Sequence, residues 1–226
     1  MSGTNVTFSS NVVFNDGSGI AKGTTSDERK LIAFGPDILA NIKESNSSAF
    51  NIPEIDVNSF PIIEVSNGYN IRYIEEENAL IAEKIGSGKA SIVYVEDFTG
   101  DYISTISNPV NTFPSGNFEF SGIFSAGARK GEFAEVGSIK LSADFQNHTF
   151  SVNGQTDNSN LSGVGIINKT SGEIFSENLN FNAPNGSTYL STAEGMFGKS
   201  NASEVSGIFY TNDNNNDYIG VFSADR

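Results

Sequence analysis

Two stretches near the C-terminus decide the fold of this chain: Gly195-Met196-Phe197-Gly198-Lys199-Ser200-Asn201-Ala202-Ser203-Glu204-Val205-Ser206-Gly207-Ile208-Phe209 and Gly220-Val221-Phe222-Ser223-Ala224-Asp225-Arg226. In both, glycine and small polar residues separate short runs of apolar residues, which is typical of strands joined by turns. The whole chain follows this pattern, with 23 glycines, 18 phenylalanines and little helical periodicity. The sequence therefore predicts a fold that is nearly all-β.

Upstream of these stretches, apolar and polar residues alternate with a period of two. Phe118, Phe120 and Phe124 alternate with polar neighbours, and the same holds from Ile139 to Phe145. This periodicity marks strands with one buried face. Further strands are predicted at 149–155, 161–168, 173–181, 187–192, 193–199, 203–211 and 216–224. About eight antiparallel strands in sequential order can close on themselves and leave no exposed edge, so we expect an eight-stranded up-and-down barrel.

Glycines lie in or beside these predicted strands, where they could serve the backbone or a ligand. Since a missing side chain permits bends and close approaches in a tightly curved sheet, we interpret them as structural. They are Gly122, Gly137, Gly154, Gly163, Gly165, Gly195, Gly207 and Gly220.

The N-terminal half is less regular. Strands are predicted near 4–14, 18–24 and 28–34, followed by a short helix from Asp37 to Lys43 and a meander between 61 and 107 with a hairpin turn at Asn67-Gly68. The segment 107–116 contains two prolines and is suited to link the two halves of the chain. We therefore expect two lobes: an irregular β-meander domain at 1–110 and the barrel at 111–226.

The composition excludes several function classes. With 13 basic and 27 acidic residues the net charge is −14, which disfavours nucleic-acid binding. The absence of cysteine removes disulfides, thiolate metal sites and thiol nucleophiles. No apolar run approaches the roughly 20 residues of a transmembrane helix.

Motifs for catalysis and metal binding are weak, so we predict no enzymatic activity and neither catalytic nor metal-binding residues. His148 is the single candidate base for a serine triad and lacks a nearby nucleophile elbow. Gly86-Ser87-Gly88-Lys89 lacks the leading glycine and the hydroxyl residue of a phosphate-binding loop. The acidic and amide residues of 212–217 lack the spacing of a helix-loop-helix calcium site.

The C-terminal half resembles the barrel of the transferrin-binding-protein-B-like family, which includes secreted haemophilin-type relatives. The resemblance covers roughly residues 110–226 and rests on several motifs in order: Pro114-Ser115-Gly116 to Gly122, Ala143-Asp144-Phe145 with Thr149-Phe150-Ser151, Gly195 to Gly198, Asn201 to Gly207, and the terminal Gly-Val-Phe-Ser-Ala-x-Arg. Lys199, Ser200 and Ser206 depart from the common family pattern.

The resemblance implies a non-enzymatic protein, secreted by a Gram-negative bacterium or held at the outer-membrane surface by an N-terminal lipid anchor behind which Ser2-Gly3 would fit. The resemblance also implies that the N-terminal domain at 1–110 is handle-like and binds the ligand or partner. The partners would be a host or environmental protein or a small nutrient, an outer-membrane transporter and an export machinery. The alternative is a structural or adhesive surface protein without a small-molecule ligand.

Haem is a candidate cofactor because relatives of this barrel include haem carriers that hold the ligand in the N-terminal lobe. With one histidine and no cysteine, axial ligation would fall to tyrosine. The resemblance thus makes Tyr69, Tyr73, Tyr94 and Tyr102 of the meander the candidate ligand-binding residues. The alternative is that each is an ordinary strand aromatic that packs its ring.

Overall fold

The computed structural model describes residues 3–13, 19–25, 30–34, 49–53, 62–74, 79–85, 90–95, 102–106, 113–128, 134–198, 200–213 and 218–226. These residues form a nine-stranded antiparallel sheet followed by a closed barrel. Across these ranges no helix combines the length and apolar character needed to cross a membrane. The predicted helix at Asp37 to Lys43, the domain boundary at 110/111 and residues 214–217 of the proposed polar loop lie outside the described residues.

The sheet contains the strands of the N-terminal half, in the spatial order β4-β1-β2-β3-β9-β8-β7-β6-β5. Its strands are β1 Gly3–Val13, β2 Gly19–Thr25, β3 Lys30–Phe34, β4 Ala49–Pro53, β5 Ile62–Ser66, β6 Tyr69–Ile74, β7 Ala79–Lys84, β8 Ala90–Val95 and β9 Tyr102–Ile106. The predicted turn at Asn67-Gly68 joins β5 to β6, with φ of 48° and 86°. Asn and Gly tolerate this left-handed backbone, which a two-residue hairpin requires.

The barrel is formed by eight sequential antiparallel strands, and the first pairs with the last to close it. These are β10 Asn117–Ala128, β11 Ala134–Asp144, β12 Thr149–Gln155, β13 Asn160–Ile167, β14 Glu173–Asn182, β15 Thr188–Gly198, β16 Glu204–Thr211 and β17 Tyr218–Asp225. The all-β fold and the eight-stranded up-and-down barrel are therefore confirmed.

One strand prediction was wrong. The segments 187–192 and 193–199 are a single strand, Thr188–Gly198. From Ser191 to Gly198 every residue is buried, so neither face shows the alternation that would have marked continuity. The glycine at 195 lies within the strand rather than at a turn.

The barrel interior is packed with aromatic rings. Phe124 and Phe181 both pack on Phe209, with ring centroids 5.7 Å and 5.1 Å apart, and Phe197 contacts Phe120 at 5.3 Å and Phe145 at 4.9 Å. Such pairs add about 0.5–1.5 kcal/mol each beyond the burial of their area. The core is thus a rigid aromatic stack.

Room for these rings comes from glycines that stand directly opposite phenylalanines on neighbouring strands. Gly207 is the register partner of Phe222, and Gly165 that of Phe150. A Cβ on Gly207 would lie 2.6 Å from Cζ of Phe222, and one on Gly165 would meet the Phe150 ring equally closely. For Gly207 and Gly165 the structural interpretation is confirmed, because each leaves space for a ring that crosses its strand.

Glu135 of β11 secures the loop that joins β12 to β13. Its carboxylate accepts hydrogen bonds from the hydroxyls of Thr156 and Ser159, the latter at 3.1 Å, and from the side-chain amide of Asn158 at 2.6 Å. Burial raises the pKa of Glu135, but these hydrogen bonds together outweigh it and leave the pKa below its usual value. The loop is therefore held by an ionised carboxylate.

The ring-over-glycine packing predicts that Gly207→Ala destabilises the barrel by about 1–3 kcal/mol, the cost typical of overpacking a core. The added methyl would collide with Phe222 and with the backbone carbonyl of Glu194. Gly154→Ala is the control, because its Cβ would meet the Phe124 ring at 3.2 Å, where a small ring shift suffices. Urea unfolding followed by circular dichroism measures both, and equal losses would contradict the packing argument.

Candidate binding surface

One side of the barrel is buried on both of its faces. Along β10, β15, β16 and β17 the outward side chains are covered as well as the inward ones, whereas β12 alternates regularly between buried and exposed. Strand β9 of the sheet packs against β15, β16 and β17, and β8 against β17. We call this contact between sheet and barrel the seam. Its apolar members on the barrel side include Ile123, Ile208, Ile219 and Val221.

A chain of hydrogen bonds crosses the seam. Ser206 donates to the hydroxyl of Ser223 at 3.1 Å, and Ser223 meets the phenol oxygen of Tyr69 at 3.0 Å. The Tyr69 hydroxyl donates in turn to Oδ2 of Asp225 at 3.0 Å. Lys84, the register partner of Tyr69, forms an ion pair with the other oxygen of the same carboxylate. Asp225 thereby joins two strands of the sheet to the last strand of the barrel.

Burial favours the protonated form of Tyr69. It is 1% exposed, and burial is the main cause that raises the pKa of its phenol far above the usual value; the charge of Asp225 raises it further, while the hydrogen bond from Ser223 opposes the shift. In that form its hydroxyl donates to the Asp225 carboxylate. The structure therefore gives Tyr69 a place in the seam.

A second seam tyrosine lies among acidic residues. Burial, followed by the charge of nearby Glu194, raises the pKa of Tyr210 to about 12. Glu194 and Glu204 are both buried on the outward face of the barrel wall, at 9% and 5% exposure. Charges in such a site require partners, and both carboxylates, like Tyr210, have interactions. The seam is thus a polar interface as well as an apolar one.

The other three tyrosines of the predicted ligand site lie on one line across the sheet. Tyr73 is the register partner of Leu80, Leu80 that of Tyr94, and Tyr94 that of Tyr102. Register partners in antiparallel strands share a face, so the backbone brings the three positions together. Their side chains lie outside the described part of the chain, and the prediction that they bind a ligand stays a prediction.

Sequence reasoning missed Lys84, Ser223 and Asp225. The partners Tyr69 and Asp225 are 156 residues apart, and a single sequence carries no signal that joins them. A local signal did exist in β17, where Ser223 and Asp225 alternate with the core residues Phe222 and Ala224. That parity places both polar side chains on the outward face of the barrel.

The single histidine lies in a tight turn. His148 lies between β11 and β12 with φ of 57°. The neighbouring Asp144 carboxylate accepts hydrogen bonds from the backbone amides of Gln146 and Asn147, at 3.0 Å and 2.9 Å. Both groups thus shape the same tight turn.

Two groups of large apolar side chains are exposed on the described surface. One lies on the barrel, where Ile166 and Phe175 are register partners on β13 and β14. The other lies on β5, the last strand of the sheet, where Ile63 is 59% and Val65 61% exposed. Contiguous exposed apolar residues are a feature of interaction sites. Within the described residues, these outer surfaces are candidate places for a partner.

The chain was compared with known proteins. No protein-family model matches it, and no curated protein matches it either. Among solved structures it is similar to the isotype 1 transferrin binding protein B (TbpB) from serogroup B Neisseria meningitidis, with a TM-score of 0.55 and 10% identity over 93% of this chain and 50% of that one. It is also similar to a mutant of the vaccine antigen TbpB from Haemophilus parasuis Hp5, with a TM-score of 0.51 and 12% identity over 95% of this chain and 52% of that one.

A structure described as a surface lipoprotein aligns over 99% of this chain and 98% of that chain, with a TM-score of 0.47 and 13% identity. The fold comparison rests on the two TbpB structures. This chain spans about half the length of each of them. At such identities the similarity shows the fold. The resemblance inferred from the sequence is therefore confirmed at the level of the fold.

The seam hydrogen bonds predict that Tyr69→Phe lowers the free energy of unfolding by about 1–3 kcal/mol, because it removes a hydrogen bond at a buried site. Tyr189→Phe is a matched control: its hydroxyl accepts a hydrogen bond from Asn185 in an exposed hairpin, so a loss within about 0.5 kcal/mol is expected. Urea unfolding of the two variants provides the measurement. If Tyr69→Phe is as mild as the control, the seam network does not stabilise the fold.

Proposed function

We propose that this chain is a non-enzymatic binding protein of a Gram-negative bacterium, exposed on the cell surface or secreted, that captures a host protein or nutrient for an outer-membrane receptor. The observation that carries the proposal is the fold shared with about half of two TbpB chains. Proteins of that name bind transferrin, which makes transferrin the first host protein to test. An export machinery and an N-terminal lipid anchor belong to the same proposal.

The architecture supports binding on an outer surface. The barrel core is packed with rings, so it acts as a rigid platform, and the sheet is fixed to it through the seam. Exposed apolar side chains lie at the free edge of that sheet. A partner would therefore meet a surface that is held in place before binding, which lowers the ordering cost of association.

Capture can be tested with the full chain immobilised through its N-terminus. We expect one partner to be retained from host serum with a Kd of about 1 μM or tighter, corresponding to about −8 kcal/mol, and transferrin and haem serve as defined probes. The heat-unfolded chain controls for attraction to a net charge of −14. Retention of no serum protein and no haem would contradict the proposal, and self-assembly in their absence would favour the structural or adhesive alternative.

Haem is a second candidate ligand, supported by the line of tyrosine positions across β6, β8 and β9. Tyrosine is a known axial ligand of haem iron. We expect haem titration to give a Soret band that Tyr94→Phe or Tyr102→Phe weakens and that Tyr189→Phe, on the barrel, leaves unchanged. Tyr69→Phe should also leave it unchanged, because that hydroxyl is committed to the seam. A flat spectrum with the unsubstituted chain would remove haem as a ligand.

A further inference from the structure

We propose that β5 is a docking edge, at which an extended segment of a partner protein bearing lysine or arginine adds as a further strand to the nine-stranded sheet. This inference rests on the proposed function, because it identifies the surface and the chemistry by which a protein partner would be held. The partner segment would be held by main-chain pairing, in which backbone hydrogen bonds supply affinity and side chains supply selectivity.

The position of β5 in the sheet is the first observation. Among the described strands it is the last in the order, paired on one side with β6 alone. A strand in this position presents N–H and C=O groups along its outer side. The opposite edge, β4, ends at Pro53, which has no N–H to donate. The barrel has no edge at all, because β10 pairs with β17.

The side chains of β5 are the second observation. Ile62, Ile63 and Val65 are 47%, 59% and 61% exposed, and Ile85, whose amide donates to the Gly68 carbonyl beside the hairpin turn, is 54% exposed. Edge strands of soluble proteins usually carry charged residues or proline that block further pairing. β5 contains one charged residue, Glu64, but three of its five residues are large, apolar and at least 47% exposed, and a strand paired with β5 would cover part of this apolar surface.

Charge decides which partner the edge accepts. In the sequence between residues 54 and 84 there are seven acidic residues, Glu54, Asp56, Glu64, Glu75, Glu76, Glu77 and Glu83, against two basic residues, Arg72 and Lys84. Arg72 is buried with its Nη2 3.1 Å from the Glu83 carboxylate, and Lys84 is paired with Asp225, so both basic charges already have an acidic partner. A sequence segment of this composition favours a basic partner strand.

The same charge argues against a second copy of this chain. Glu64 is the central residue of β5, so symmetric antiparallel pairing of two copies would set one Glu64 opposite the other, and like charges in that position are destabilising. This repulsion hinders self-pairing, whereas a cationic strand would find its charge complement.

A labelled peptide of nine residues that alternates valine and lysine provides the probe. We expect it to bind the full chain at 0.15 M salt, where surface charges beyond about 8 Å are screened. N-methylation of every second residue removes the N–H groups of one peptide edge, and this peptide should bind at least about tenfold more weakly if pairing is through the backbone.

Two variants locate the site. Val65→Lys places a positive charge, of the same sign as the lysines of the peptide, in the edge strand. It should weaken binding of the peptide by at least about tenfold. Val164→Lys is the matched control, since it adds the same charge at a residue that is 64% exposed on the barrel strand β13, and it should change binding by less than about twofold. Absence of binding, equal losses in the two variants, or equal affinity of the N-methylated peptide would overturn the inference.

Sedimentation and capture separate this inference from the proposed function. A dimer of the unsubstituted chain that Val65→Lys dissolves would assign the edge to a second copy and overturn the inference. If Val65→Lys still retains the serum partner as well as the unsubstituted chain does, the proposed function is supported and the docking edge is rejected. If the peptide pairs with β5 and no serum partner is retained, the docking edge is supported and the proposed function is rejected.

Discussion

The fit of phenylalanine rings over glycines of the adjoining strand is the constraint on which the structure depends. Phe222 lies across Gly207, and Phe150 across Gly165. Each ring takes the volume that a side chain on the glycine would occupy, so the barrel reaches core density although its wall contains many residues without side chains. The same fit draws neighbouring backbones together and helps the sheet to curve until β10 meets β17.

The closed barrel creates the second organising feature, a wall that is buried on both faces. Its inward residues pack in the aromatic core, and its outward residues support the N-terminal sheet. The contact has polar and charged members, and Tyr69, Lys84 and Asp225 satisfy one another there. Such directional contacts fix the register of the two parts more strictly than apolar packing alone would.

Regular alternation made the barrel predictable. β12 shows a strict buried and exposed pattern, and the sequence was sufficient to place its strand and faces. β15 lost this signal because the sheet covers its outer side, and there the sequence suggested two strands where one exists. The seam partners were beyond prediction, since the contact of Tyr69 with Asp225 depends on how two distant strands pack. From the sequence, Ile62 and Val65 belong to an ordinary strand. The sheet order shows that this strand lies at an edge.

The carboxylate of Asp225 lies at the end of β17, yet it anchors Tyr69 from the first half of the sequence. Contacts of such long range are slow to form, because the loop between their ends must close first. The first barrel strand likewise has no closing partner until the last one is present. During synthesis or vectorial transport the cylinder therefore stays open, and Tyr69 lacks its seam partners, until β17 is available. Completion of the fold is thus tied to the arrival of the last barrel strand.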